Sequence, residues 1–230
     1  MQTDHPIKTS SEDRFDRAPF AKRIAEIISS RRDPATLVIG VYGPWGDGKS
    51  STLNLIKETL ATTKDVVQVD YNPWFFSSSI ENLTRSYFLT LGDALEKTKL
   101  FSRDRIGNLL IKYGGMVPKF GNTIKAAGEA LSVTDMKAIR AQVESILIKH
   151  QTPIVVFVDD IDRLDRSEIQ TLFKLIRLAA DFPYVTYVLA FDDEIVASAL
   201  GGAYEGGDIA AGRRFLEKIV QFPLYMPRAN

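Results

Sequence analysis

A chain of 230 residues that is 45% hydrophobic and 25% charged has the proportions of a globular protein with a sizeable core. Lys+Arg and Asp+Glu are both 29, so bulk charge does not drive it onto nucleic acid or an anionic membrane. With no cysteine and only His5 and His150, disulfides and thiol chemistry are excluded and a histidine-built metal site or triad is disfavoured.

Residues 1–15 are polar, show no apolar periodicity and read as a loose lead-in. Phe20, Ile24, Ile27 and Ile28 recur at helical spacing, with Pro19 suited to the first helical position. Leu37-Val38-Ile39-Gly40-Val41-Tyr42 is almost purely apolar, the pattern of a strand buried on both faces of a parallel sheet. A helix with Leu53, Ile56 and Leu60 on one face follows, then a strand at 66–71 stopped by Asn72-Pro73.

Residues 80–150 read mostly as helices broken at Gly107, Gly114-Gly115, Pro118, Gly121 and Gly128. Between residues 97 and 125 this insert is basic, with Lys97, Lys99, Arg103, Arg105, Lys112, Lys119 and Lys125 set against Asp104. That run is either a solvated helical face or a contact for nucleic acid or lipid headgroups. A third strand at 154–158 ends in Asp159-Asp160. Ser167 and Gln170 resemble a capping box, opening a helix that turns Ile169, Leu172, Phe173 and Ile176 inward. A fourth strand at 184–191 ends in Asp192-Asp193, followed by helices near 194–200 and 211–221 and a candidate strand at 222–226. Strands alternating with helices at this spacing imply an α/β fold, a parallel sheet with helices on both faces.

Two segments carry chemistry. Gly43-Pro44-Trp45-Gly46-Asp47-Gly48-Lys49-Ser50 matches the phosphate-loop pattern G-x-x-x-x-G-K-[ST], between a buried strand and an amphipathic helix. Glycines let successive backbone N–H groups point at phosphate oxygens, and the helix N-terminus adds partial positive charge. Lys49 supplies a mobile charge for the β- and γ-phosphates, and Ser50 a hydroxyl ligand for Mg²⁺. Trp45 either packs against the fold or covers the nucleotide. The apolar strand ending in Asp159-Asp160 fits a Walker B strand: Asp159 is placed to hold Mg²⁺, and Asp160 to orient and polarise an attacking water. Aspartate is shorter than glutamate at that position, which points to slow turnover, suited to a switch. Arg163 is placed to reach a phosphate, a neighbouring subunit, or Asp160 and Asp165. Asp192 is either a γ-phosphate sensor or a helix cap. Arg213 and Arg214, read as opening the last helix, are either an arginine finger acting across a subunit interface or a solvated helix start.

Together these residues resemble the KAP family of P-loop NTPases, a branch close to the STAND and AAA+ ATPases. The resemblance rests on the phosphate loop through Ser51, on Asn72-Pro73-Trp74, on Asp159-Asp160-Ile161-Asp162-Arg163, and on Phe215-Leu216-Glu217-Lys218-Ile219-Val220-Gln221. It implies binding and hydrolysis of ATP with Mg²⁺, a sheet ordered 5-1-4-3-2, and often a role in bacterial phage exclusion or signalling. It also implies Mg²⁺ roles for Ser50 and Asp159 and water activation by Asp160. Many members insert transmembrane helices between the loop and the acidic strand, whereas the apolar runs here are short, such as Leu109-Leu110-Ile111. Relatives usually continue past the fifth strand into a helical lid and effector region, which is not found before Asn230.

The expectation is therefore one cytoplasmic NTPase domain over 1–230 with a helical insert at 80–150. Its partners would be ATP and ADP, with a second copy or an effector meeting the NTPase domain. Two other readings stand beside it, a nucleotide-gated binding module with negligible hydrolysis and an NTPase coupled to nucleic acid through the basic insert.

Overall fold

The computed structural model describes residues 5–63, 66–76, 79–101, 104–117, 133–202 and 207–227. Five parallel strands form its centre: β1 (Leu37–Tyr42), β2 (Val67–Tyr71), β3 (Ile154–Val158), β4 (Val185–Phe191) and β5 (Phe222–Tyr225). Their order is β2-β3-β4-β1-β5, the 5-1-4-3-2 arrangement read from the other edge. Every residue of β1, β3 and β4 is buried, which is why these strands read as unbroken apolar runs.

Side-chain alternation divides the sheet between two cores. Leu37, Ile39 and Val41 of β1 face α1 (Ala18–Ser30) and α2 (Lys49–Ala61), together with Val155, Phe157, Val188 and Ala190. Val38 and Tyr42, with Val156, Val158, Tyr187 and Leu189, face the remaining helices. These are α3 (Ile80–Glu96), α4 (Ile106–Met116), α5 (Val133–His150), α6 (Arg166–Lys174), α7 (Asp193–Gly201) and α8 (Ile209–Leu216). The result is a three-layer α/β/α fold, with the helical insert α3–α5 between β2 and β3. No described helix is long and apolar enough to cross a membrane.

Four local expectations are corrected. Gly107, Gly114 and Gly115 do not break the insert but lie inside α4. Two of them serve close packing: a Cβ on Gly92 would stand 3.1 Å from Gly107 Cα, and one on Gly114 would stand 2.6 Å from the Phe88 ring. Pro118, Gly121 and Gly128 lie outside the described residues. The capping box is built by Asp165 and Glu168 rather than Ser167 and Gln170, each accepting from the other's backbone N–H at 2.9 Å. Ser167 instead donates to Asp165 Oδ1, and Gln170 donates to the Ala199 carbonyl.

Of the lead-in read as loose at 1–15, the described residues 5–15 are not loose. Ile7 N–H donates to Ser51 Oγ, Asn54 Nδ2 donates to the Ile7 carbonyl at 2.8 Å, and Ser10 N–H donates to Glu58 Oε2 at 2.8 Å. The segment is strapped along α2 by backbone groups, which leave no apolar period to read. Finally, Arg213 and Arg214 stand in the last turn of α8, not its first, because the helix starts at Ile209 behind an Asp208 cap.

Candidate functional site

In a parallel sheet of this kind, ligands bind beyond the carboxyl ends of the strands, where each chain turns into the next connection. β1 ends there at Tyr42, and residues 43–48 curl into the start of α2. Gly46 and Gly48 take φ values of 91° and 78°, a left-handed region that L side chains rarely adopt, and the curl needs both. The first N–H groups of α2 have no acceptor within the helix and are free to meet an anion.

Lys49 folds back over this loop. Its Nζ donates to the Gly43 carbonyl at 2.8 Å and the Pro44 carbonyl at 3.1 Å, and lies 3.4 Å from Asp162 Oδ2. Both side chains of this ion pair are only 9% exposed. Asp162 is a site residue to which the sequence reading gives no role. Its place in Asp-Asp-Ile-Asp-Arg is the one available signal, and nothing in that spacing says that the short turn Ile161–Arg163 carries it back to the lysine. Trp45 does not pack into the fold, with 79% of its surface exposed. Ser51, which the family resemblance includes in the nucleotide-binding loop, has its Oγ engaged by Ile7 N–H.

The acidic end of β3 lies two strands away, with β4 between. Burial pushes the Asp159 carboxyl up from the ordinary carboxylate range, opposed by the Ser50 hydroxyl and the Asp160 N–H, which favour the ion. Ser50 and Asp159, the two residues expected at a metal, are thus side by side. Among the described residues no group of three or more acidic, histidine or cysteine side chains forms a metal cage. This donor set, one carboxylate and one hydroxyl, suits a hard cation such as Mg²⁺ that keeps several waters and draws other ligands from phosphate.

Asp160 has a φ of 58°, unusual for a residue other than glycine, and its carboxylate is held from both sides. Asn72 Nδ2 donates to Oδ2 at 2.7 Å, and Arg163 Nε lies 2.7 Å from Oδ1. Asn72 Oδ1 accepts from Trp74 N–H, and the Arg163 guanidinium lies over the Trp74 ring at 5.2 Å. Of the three destinations open to Arg163, the structure therefore shows the local ion pair with Asp160. Asp192 accepts from the N–H groups of Glu194 and Ile195, so it caps α7. Arg213 and Arg214 are exposed, and Arg213 lies 3.4 Å from Glu194.

On the insert, Lys97, Lys99, Arg105 and Lys112 are exposed, whereas Arg103, Lys119 and Lys125 lie outside the described residues. Asp104, the acid of that segment, is held below the ordinary carboxylate range by His150 and Lys149 of α5.

The model of the KAP family P-loop domain matches residues 17–230. The chain belongs to this family. Its KAP domain is also similar to the phage T7 exclusion protein of Escherichia coli (strain K12), 28% identical over 261 residues. That alignment covers 98% of this chain and 34% of the relative, so the chain spans about a third of the relative's length. Among solved structures, Cdc6p from Pyrobaculum aerophilum aligns with 98% of this chain and 48% of its own, with a TM-score of 0.51 and 13% identity, a likeness of fold. The Orc1 protein of Aeropyrum pernix, solved in complex with DNA, covers 94% of this chain and 46% of its own, with a TM-score of 0.45 and 11% identity.

Proposed function

We propose that this KAP domain binds ATP with Mg²⁺ and hydrolyses it as a conformational or oligomerisation switch in bacterial anti-phage defence. The observation that carries the reading is the convergence of Lys49, Ser50, Asp159 and Asp160 at the carboxyl ends of β1 and β3. The defence role rests on the family and on the name of the phage exclusion relative.

Chemically, the loop amides and the Lys49 ammonium donate to the phosphate oxygens, and the lysine exchanges its contact with Asp162 for the stronger charge of the polyphosphate. Mg²⁺ would be held by Ser50 and Asp159 and would neutralise charge building between the phosphates. Asp160 orients a water for in-line attack, supplying position more than basicity. The exposed Arg213 and Arg214 are candidates to reach the phosphates of a neighbouring copy.

One observation favours a second reading, a nucleotide-gated module with negligible turnover. Both Asp160 oxygens are engaged, by Asn72 and by Arg163, so water activation requires one contact to open. Phosphate release from ATP by the wild type and Asp160→Asn distinguishes the two. The ATPase reading expects release that Asp160→Asn abolishes, and equal rates refute the role of Asp160. Tight retention of unhydrolysed ATP by the wild type supports the binding module.

A further inference from the structure

Three charged residues are buried among the described residues: Lys49, Glu168 and Arg17. Lys49 serves the phosphate loop and Glu168 the capping box of α6, which leaves Arg17, just before α1 and 8% exposed. Its Nη1 donates to the Asp47 carbonyl at 3.2 Å and approaches Met226 Sδ at 3.7 Å. Both acceptors are neutral, and Nε has no hydrogen-bond partner among the described residues. A guanidinium is a permanent charge, so burying it with no carboxylate paired to it among the described residues is costly.

The place of this charge gives it meaning. Arg17 reaches the phosphate loop at the Asp47 carbonyl, one residue before Gly48. Met226 ties the same spot together: its N–H donates to the Tyr42 carbonyl, its sulfur accepts from Thr52 Oγ1, and a Cβ on Gly43 would stand 3.0 Å from its Cγ. All described peptides are trans, so the Asp47 carbonyl and the Gly48 N–H point to opposite sides of one plane. Holding that carbonyl toward Arg17 turns the Gly48 N–H away from the guanidinium.

We propose that Arg17 is a positioning residue of the phosphate site, fixing the Asp47–Gly48 peptide and contributing a buried positive charge whose counter-ion is the bound polyphosphate. This rests on the nucleotide reading above. A residue that merely braced the fold would stabilise the empty protein. An uncompensated buried charge does the opposite, costing stability until the anion arrives.

The test uses the whole chain as wild type, Arg17→Met and Arg17→Lys. Thermal unfolding is followed without ligand and with ATP and Mg²⁺, and ATP affinity is measured by calorimetry. Arg17→Met is expected to unfold at or above the wild-type temperature when empty, yet to bind ATP about tenfold more weakly and gain less stability from it. Arg17→Lys, which keeps the charge, is expected within about threefold of wild-type affinity. Wild-type affinity in Arg17→Met overturns the proposal, as does a fall in its empty-state stability. Should Arg17→Met be obtained in too small a yield to measure, Arg17→Lys decides alone, and a tenfold loss there also overturns the proposal. A wild type that neither binds ATP nor is stabilised by it refutes the nucleotide reading instead, so the two failures are distinct.

Discussion

The phosphate loop and the acidic end of β3 face the same space but are held by opposite means. The loop is a backbone structure: glycines at positive φ, carbonyls capped by Lys49, and a buried arginine on the Asp47 carbonyl. The acidic end is a side-chain structure, in which Asn72 from the end of β2 and Arg163 from the following turn clamp one carboxylate. One salt bridge, between Lys49 and Asp162, joins the two. A backbone cradle is set once the chain folds, whereas a side-chain clamp can exchange partners. On the proposed function, binding falls to the loop and control of the chemical step to the acidic end.

The largest expected effect breaks the joint between them. Lys49→Ala should weaken ATP binding by about a hundredfold or more, since one partner of a buried charged contact is lost. It should also destabilise the empty protein by about 3–5 kcal/mol, because Asp162, with only 9% of its side chain exposed, is left unpaired. Adding Asp162→Ala should restore most of that stability in urea unfolding but none of the binding. If the double variant is no more stable than the single one, the ion pair is not what secures the lysine.

Asp160→Asn separates the two regions cleanly, because asparagine tolerates the same positive φ. Turnover should fall by about a hundredfold or more, with ATP affinity changed by less than about threefold. A parallel loss of affinity, read by calorimetry, would show that the acidic end also binds.

A pH series sharpens the metal assignment. Burial raises the Asp159 pKa, so its carboxyl takes up a proton at a higher pH than a free aspartate of about 3.9. The Mg²⁺-dependent part of ATP affinity should decline on acidification from a correspondingly higher pH, and Asp159→Asn should abolish that dependence. The same shift has a sign for folding. The ionised carboxyl costs stability above its raised pKa, and that cost disappears as pH falls below the unfolded value.

The smallest effect concerns Asp192. As the cap of α7 it should cost about 1 kcal/mol of stability when replaced by alanine, with turnover unchanged. A fall in turnover at unchanged stability would make it a γ-phosphate sensor instead.

The difference between the two regions also explains what could be read from sequence. β1, β3 and β4 were legible because full burial writes continuous apolar runs, and the loop because backbone curvature demands glycine at fixed spacing. The place of Asp159 and Asp160 at a strand end was legible because they follow such a run. Asp162 and Arg17 were not, because each is defined by a partner in a distant segment, Lys49 and the Asp47 carbonyl. Gly107 misled for a related reason. A glycine that admits a neighbouring helix looks the same in sequence as one that ends its own. Strapping of the described lead-in, residues 5–15, to α2 uses its backbone groups, which leave no compositional trace.

The most direct measurement is recovery of labelled ATP, with Mg²⁺, from the wild-type chain and from Asp160→Asn after equilibrium dialysis, followed by separation of bound ATP and ADP. Both proteins should retain nucleotide with similar affinity, the wild type holding ADP and the variant intact ATP. No retention by the wild type, or equal conversion by both, would contradict the assignment of binding to the loop and chemistry to the acidic end.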